Sequence, residues 1–184
     1  TKYSVNKIEF KEKGLSTLKP RKIWFDETIQ RLNVDSRGEL LGEFKGDDSL
    51  LIIQQNGILK TIKPDLNMHF PEDMIILEKW TSEKPISAIY YDGNKERYFV
   101  KRFFAGIQKV DQQFVPSGSK NQLEMVSSDW KPVVEIIFSK TSKGQKENLI
   151  QNIEDLISVK GIKAVGNQLT SFKVKNINLL DPIP

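Results

Sequence analysis

The chain has no cysteine and only one histidine among its 184 residues. The lack of cysteine excludes disulfide bonds and thiolate zinc ligands, and it fits a reducing cytosol. His69 lies beside Pro71 in a hydrophilic loop, where a lone histidine is typical of a surface residue and not of a metal ligand. The sequence therefore predicts no metal site.

Motifs for nucleotide binding and for nucleophilic catalysis are also lacking. Neither GxxxxGK[ST] nor GxGxxG occurs, and there is no GxSxG elbow. The acidic pairs Asp47-Asp48 and Glu72-Asp73 lie in hydrophilic segments, where solvated carboxylates are the rule. We therefore predict no catalytic residue in this chain.

Long apolar runs are missing too, since none approaches the ~18–20 residues that a membrane-spanning helix needs. The charged opening TKYSVNKIEFKEKG predicts no signal peptide, and the initial Thr suggests a fragment of a longer protein. Hydrophobic residues make up 38% and charged residues 28% of the chain. This balance favours a solvated, strand-rich domain with a thin core.

The net charge of +4 is distributed unevenly along the chain. Residues 47–93 carry 4 basic and 8 acidic side chains, whereas residues 94–146 carry 10 basic and 5 acidic ones. A local basic excess is what a polyanion-binding surface requires. An ordinary soluble surface with scattered lysines would give the same total, so charge alone leaves both interpretations open.

Four stretches share one layout: an apolar arm, a tight turn, and a second arm that bears basic residues. The turns are expected near Asp26-Glu27-Thr28, Asn56-Gly57, Asp92-Gly93 and Lys143-Gly144. Asn-Gly and Asp-Gly supply the positive φ angles of type I′ turns. The second and third stretches are therefore predicted as hairpins with type I′ turns.

A further apolar strand follows each of the last three hairpins, over residues 74–80, 122–128 and 172–180. Repetition of such units predicts an all-β array of the propeller kind. The segment KENLIQNIEDLISVKG has helical spacing, yet its place in the repeat predicts a strand followed by a turn or a short helical piece. Residues 1–20 are expected to be a lead-in linker or a ring-closing strand, and residues 21–184 one domain.

Three segments, RKIWFDETIQRLNVDSRGELLGEF, KPISAIYYDGNKERYFVKRF and IKAVGNQLT, resemble the C-terminal domain of the A subunit of bacterial type IIA DNA topoisomerases. The resemblance runs from about Val5 to Pro184. The family's repeat, with Thr/Ser-Lys-x-x-Gly before a basic strand and then Gly-apolar-x-Ala, is matched from Ser139 to Ala164 with one extra residue before Gly144. The Gln-Arg-Arg-Gly-Gly-Lys-Gly box of the gyrase version is absent, which favours topoisomerase IV and weighs against full DNA wrapping.

The resemblance implies a β-pinwheel, a propeller-like disc of about four blades of antiparallel strands. Its basic rim would bind and bend duplex DNA for strand passage, largely independently of sequence. The domain itself would hold no cofactor. The parent ATP-dependent and Mg-dependent topoisomerase would carry its catalytic Tyr in the N-terminal part of the A subunit. Its ATPase would be the B subunit of a heterotetramer in the bacterial cytoplasm, associated with the nucleoid and not with a membrane.

The basic residues of the second arms are the candidate DNA contacts. They are Arg31, Lys60, Lys63, Arg97, Lys101, Arg102, Lys140, Lys143 and Lys146. Each is equally consistent with a solvated strand residue that protects an exposed edge. Two other functions stay open: a protein-interaction propeller with an exposed apolar patch, and a ligand-binding β-domain with a polar and aromatic pocket.

Overall fold

The computed structural model describes residues 19–107 and 110–184. The predicted linker or ring-closing strand over residues 1–20 lies outside these residues, except for Lys19 and Pro20. The described strands are β1 (Arg21–Asp26), β2 (Arg31–Asn33), β3 (Glu39–Phe44), β4 (Leu50–Gln54), β5 (Ile58–Ile62), β6 (Met74–Lys79), β7 (Pro85–Asp92), β8 (Arg97–Phe104), β9 (Gln112–Gln113), β10 (Gln122–Ser127), β11 (Val133–Phe138), β12 (Leu149–Asn152), β13 (Asn167–Gln168) and β14 (Val174–Leu180). A short helix, α1 (Ile153–Leu156), follows β12.

The described strands form four sheets of three or four strands each. Their orders are β2-β1-β3, β6-β4-β5-β9, β10-β7-β8-β13 and β12-β11-β14. The predicted all-β class, with about four antiparallel blades as in a β-pinwheel, is confirmed. No helix among the described residues is long and apolar enough to cross a membrane.

The chain divides into two compact units. Among the described residues, unit 1 comprises residues 19–52 and 61–80, and unit 2 comprises residues 53–60, 81–107 and 110–184. The apolar cluster of unit 1 consists of Ile23, Leu32, Phe44, Leu50, Ile52 and Phe70. The apolar cluster of unit 2 consists of Ile89, Val100, Met125, Val134, Ile136, Phe138, Ile153, Ile157 and Leu169. Residues 21–184 as one domain stay a prediction.

Strand burial follows from position in the sheet. All five residues of β4, with the sequence LLIIQ, are buried, because β4 lies between β6 and β5 and has both faces covered. A continuous apolar run of this length is typical of such a strand. β14 lies at the end of its sheet, and no residue in it is fully buried.

The hairpin at Asn56-Gly57 is confirmed, but its predicted turn type is wrong. The N–H of Gly57 donates to the carbonyl of Gln54 at 3.0 Å, which makes Gly57 the last residue of a four-residue turn. Gly57 has a φ of +80°, whereas Asn56 is not in the left-handed region. A type I′ turn needs positive φ at both central residues. Here the chain reverses with positive φ only at Gly57, which follows the two central residues of the turn.

The hairpin at Asp92-Gly93 is also confirmed with a different turn. Asp92 pairs with Arg97 in the ladder, so the loop has four residues, 93–96, and not two. Its left-handed residue is Glu96, with a φ of +53°. The Asp92 carboxylate accepts from the N–H groups of Asn94 and Lys95 at 3.0 and 3.1 Å, and this aspartate cap organises the longer loop.

The fourth repeat has the predicted strand and short helical piece, β12 and α1. The side chain of Asn152 caps α1 by accepting from the N–H of Glu154 at 3.1 Å. The strands predicted after the hairpins are confirmed as β6, β10 and β14. Strands β3, β9 and β13 were not predicted, because two of them are two-residue strands and the third contains Gly42.

Candidate nucleic-acid interface

Lys101, a candidate DNA contact, lies in the interior of unit 2. It is 2% exposed, and its Nζ donates to the carbonyl oxygens of Phe114 at 2.7 Å and Ile162 at 2.6 Å. The Nζ also lies 5.5 Å from the centre of the Phe103 ring. Burial lowers the pKa of Lys101 to about 8. The expectation that Lys101 faces solvent is wrong.

Arg102 is buried as well, at 5% exposure. Its Nε donates to the Ser87 hydroxyl at 3.1 Å, and its Nη2 donates to the Trp130 carbonyl at 3.1 Å. Burial lowers the pKa of Arg102, while the carboxylate of Glu154 raises it. The expected surface position is wrong here too, because the guanidinium bonds β8 to β7 and to the segment after β10.

Of three other candidates, the side chains of Lys60 and Lys63 have partners and Arg31 is simply exposed. Lys60 is half-buried, and its Nζ forms an ion pair with Asp111 at 3.3 Å in unit 2. Lys63 is exposed, and its Nζ donates to the carbonyl oxygen of Asp47 in unit 1. Arg31 is exposed at the start of β2. The ion pair neutralises Lys60, so Lys63 and Arg31 are the freer cations of this group.

Lys140, Lys143 and Lys146 are all exposed in the loop between β11 and β12, residues 139–148. Within the loop, Thr141 and Gly144 exchange backbone hydrogen bonds at 2.9 and 3.0 Å. This closes a tight turn that projects Ser142 and Lys143. Gly144 has a φ of +108°, a conformation that glycine adopts at little cost.

The loop forms one wall of a cavity of about 640 Å³. Lys143, Lys146 and Lys173 line it together with the hydroxyl residues Ser139, Thr141 and Ser142, and no carboxylate residue does. The Nζ of Lys146 lies 3.5 Å from the centre of the Phe172 ring. The ring face attracts the ammonium group and restrains it at the cavity.

A second cavity, of about 540 Å³, adjoins the first because Phe172 and Lys173 line both. Arg97 lines this second cavity, and its Nη1 donates to the Gln168 side chain at 3.2 Å. Tyr98 also lines it, and burial, with smaller contributions from Glu124 and Tyr91, raises the pKa of its hydroxyl. We call the residues Arg97, Lys143, Lys146 and Lys173 the unit 2 basic surface.

Unit 1 has a basic cluster of its own. Lys19, Arg21, Lys45 and Lys63 line a cavity of about 290 Å³ with Ile23, Phe44, Gly46 and Pro64, and no acidic residue of the described ranges contributes to it. We call these four cations the unit 1 basic pocket. Arg21 pairs with Phe44 across β1 and β3, and this register brings Lys45 close to Arg21.

Sequence reasoning missed four of these cations: Lys19, Arg21, Lys45 and Lys173. The predicted contacts all lie in the second arms of the hairpins or near their turns, whereas Arg21 is the first residue of β1 and Lys19, Lys45 and Lys173 lie just before or after a strand. Antiparallel pairing brings the start of one strand to the end of its neighbour. Cations flanking β1 and β3 at those ends were the available signal.

Comparison with models of protein families shows a family to which this chain belongs. The family model described as topoisomerase C-terminal domain, Bacteroidota, matches residues 31–181. The chain belongs to this family. A search of curated proteins gave no match.

The match to the topoisomerase C-terminal domain includes the whole unit 2 basic surface, from Arg97 to Lys173. Of the unit 1 basic pocket it includes Lys45 and Lys63, while Lys19 and Arg21 precede it. Membership makes this chain a topoisomerase-associated domain. The cationic clusters are the features of the domain whose chemistry suits a nucleic acid.

Proposed function

We propose that this topoisomerase C-terminal domain binds and bends duplex DNA through phosphate contacts, and that it presents a DNA segment for strand passage. The observation that carries the proposal is the unit 2 basic surface. Lys143, Lys146 and Lys173 form no ion pair with any described residue, and no described carboxylate residue lines the cavity that they share. Glu96 lines the adjoining cavity with Arg97 and Lys173. Such uncompensated ammonium groups attract phosphate and release its counterions.

The lining of the cavity suits a phosphate more than a base. The hydroxyls of Ser139, Thr141 and Ser142 add neutral hydrogen-bond donors to the three ammonium groups. Lysine and hydroxyl contacts of this kind position a protein on the backbone and carry little sequence information. Binding is therefore expected to be nearly independent of sequence.

Bending requires that several contacts act on one duplex. Bending a site of ~20–30 bp costs on the order of 1–6 kcal/mol. The four cations of the unit 2 basic surface, with the four of the unit 1 basic pocket as a further set, would offset that cost by counterion release. Arg31 and Lys140, both exposed, stay candidate contacts outside these two clusters.

The parent protein is proposed to be the A subunit of a type IIA topoisomerase, with topoisomerase IV favoured over gyrase because the basic glycine-rich box is absent from the sequence. The catalytic Tyr would then lie in another part of that subunit. ATP and Mg would act at sites of the parent enzyme, whose ATPase is the B subunit, in the bacterial cytoplasm. This domain would contribute DNA selection and no chemistry.

The test is a titration of a fluorescent ~30 bp duplex of random sequence at ~50 to ~300 mM salt. The wild type is expected to give a steep negative slope of log affinity against log salt. In the triple variant K143Q/K146Q/K173Q, the magnitude of that slope should fall by about 1 for each lost phosphate contact. All duplex sequences should weaken alike.

A matched control has the same charge change at exposed or half-buried lysines of unit 2 that line neither cavity: K120Q/K131Q/K160Q. This control should retain most of the slope. Equal losses in the two triple variants would mean that only net charge matters, which contradicts a defined surface. No binding at ~50 mM salt would overturn the proposal and favour the protein-interaction propeller.

A further inference from the structure

Unit 1 also contains a groove of opposite charge to its basic pocket. The groove has a volume of about 630 Å³. Its acidic lining residues are Asp26, Glu27, Glu39, Glu72 and Glu78. No Lys, Arg or His residue lines it. Five carboxylates around one groove create a negative potential that repels phosphate, so the groove and the basic clusters cannot share a ligand.

Most of these carboxylates lack a cation. Asp26, Glu27, Glu39 and Glu72 form no ion pair with any residue of the described ranges. The Asp26 carboxylate accepts a local hydrogen bond from the N–H of Thr28 at 3.0 Å. Cationic groups are therefore the complementary ligand chemistry.

The shape of the groove indicates a polypeptide. Side chains of successive strand residues point to opposite faces of a sheet. Five consecutive residues of β6, 74–78, nevertheless line the groove, which requires that β6 present its edge to it. β6 is the end strand of its sheet among the described residues, and β3, which also lines the groove, is the end strand of another. Exposed strand edges recruit extended segments by backbone hydrogen bonding.

The lining of the groove also contains apolar side chains. They are Phe25, Leu41, Met74, Ile75, Ile76 and Leu77. Leu41 is placed there by a bulge, because the register of β1 and β3 shifts between Ile23 and Trp24. A bulge of this kind redirects a side chain. The lining thus combines apolar and anionic groups, and a strand that alternates apolar and cationic side chains offers both complements.

Gln30 gives a separate indication that the ligand of the groove carries hydrogen-bond donors. It lines the groove, and its Oε1 is buried with no hydrogen-bond partner among the described residues, while its Nε2 donates to the carbonyl of Glu27 at 2.9 Å. A buried carbonyl oxygen without a donor is costly. A ligand with N–H or ammonium groups would supply the missing donor.

A bound metal ion is a poorer occupant. In residues 19–107 and 110–184, no group of three or more His, Asp or Glu side chains is arranged to hold a metal ion. The five carboxylate residues of the lining come from four separate stretches of the chain. A ligand with several cationic groups, such as a lysine-rich or arginine-rich strand, suits such a lining better than a single ion.

We infer that the groove between β3 and β6 binds an extended, cationic segment of a partner polypeptide by strand addition. Alternate Lys or Arg side chains of the segment pair with the carboxylates. The intervening apolar side chains of the segment pack on the apolar part of the lining, and its backbone bonds to a strand edge. The inference is independent of DNA binding, which involves other residues.

The probe is a fluorescent, acetylated and amidated heptapeptide of alternating lysine and valine, titrated into the whole chain by anisotropy. The triple variant E27Q/E39Q/E72Q should bind it about tenfold more weakly. The control variant E83Q/E147Q/D181N makes the same charge change at exposed carboxylates that do not line the groove. It should bind within about twofold of the wild type.

Two further peptides test strand addition on the wild-type protein, so that the result does not depend on how a variant folds. N-methylation of alternate valines keeps the charge but removes edge hydrogen bonds, and it should weaken binding about tenfold. A glutamate-valine heptapeptide should not bind. The lysine-valine peptide should also slow hydrogen exchange at amides of β3 or β6.

Several results would overturn the inference. Equal weakening by the two triple variants would show non-specific charge attraction, and full affinity of the N-methylated peptide would exclude strand addition. Self-association of the chain that the groove variant abolishes would make a second copy the occupant. The groove variant should keep its duplex DNA affinity, so a failure here is distinguishable from a failure of DNA binding.

Discussion

Strand β8 and the loop between β11 and β12 have the same number of basic residues but differ in how many of them are buried. β8 contains Arg97, Lys101 and Arg102, and the loop contains Lys140, Lys143 and Lys146. Two of the three β8 cations are buried, whereas all three loop cations are exposed. A local excess of basic residues therefore identifies a charged segment, but it does not show whether the side chains are buried or exposed.

The difference arises from the neighbours of each segment. β8 lies between β7 and β13, and its buried ammonium and guanidinium groups are retained because backbone carbonyls and a hydroxyl accept their hydrogen bonds. Removing such a partner leaves buried acceptors unsatisfied. Residues 140–148 of the loop are exposed, so its lysines stay accessible to a ligand, and the Nζ of Lys146 also contacts the face of the Phe172 ring.

The largest expected effect is on folding, from Lys101→Met. This change removes the donor for the carbonyls of Phe114 and Ile162 while keeping side-chain volume. It should lower the free energy of unfolding by about 2–4 kcal/mol. Urea denaturation measures this. DNA affinity of the folded protein should stay unchanged, and a stable variant that loses DNA affinity would reverse the role assigned to Lys101.

The next effect is a pH dependence. Burial lowers the pKa of Lys101 from 10.5 to about 8, so the unfolded chain binds that proton more tightly. The stabilising contribution is complete above pH 10.5 and is lost as the pH falls through about 8. The difference in unfolding free energy between wild type and Lys101→Met should grow by about 1–3 kcal/mol from pH 7 to 10.

Tyr90 also makes the stability depend on pH, and it does so in both wild type and Lys101→Met. Burial, with a smaller contribution from Asp92, raises its pKa to about 12, so stability falls as the pH rises from 10 towards 12. Both proteins contain Tyr90, and its contribution cancels in the difference. A difference that is flat between pH 7 and 10 would contradict a depressed Lys101 pKa.

A smaller effect is expected from Gly144→Ala in the loop. No atom lies within 4 Å of the added Cβ, but the φ of +108° is strained for alanine. The loss should be about 1 kcal/mol, measured by urea denaturation. The turn that projects Lys143 should loosen, and duplex affinity should fall a few-fold. A loss as large as that of Lys101→Met would show that the loop is part of the folding core.

The smallest effect should come from Lys140→Met. Lys140 is exposed and lines neither cavity of the unit 2 basic surface. The unfolding free energy should change by less than about 0.5 kcal/mol. Together with Lys101→Met it forms a matched pair of identical substitutions, and similar losses in the two would remove the contrast between strand and loop.

Hairpins were predictable because their signal is local, whereas turn types were not. Asn56-Gly57 and Asp92-Gly93 mark both reversals correctly, yet Gly57 bonds through its carbonyl to Phe114 at 2.9 Å, and Asp92 caps a longer loop. The two-residue strands β9 and β13 leave no periodic pattern. They exist because β5 and β8 offer edges to them.

The candidate site was predictable in part. The exposed lysines of the β11–β12 loop were selected correctly as surface cations, and Lys101 and Arg102 were not. Lys173, on the same cavity, comes from a segment about 30 residues along the chain from Lys143. Register and packing determine such neighbours, and composition contains neither.

The sequence by itself determined the all-β class, the hairpin positions and the uneven charge, because these depend on residues close together in the chain. Only the tertiary structure decided which cations are buried, which share a cavity and where carboxylates line two strand edges. Lys101 reaches Ile162 across 61 positions, and contacts at that separation arise when a distant segment packs against a strand, which no local pattern encodes.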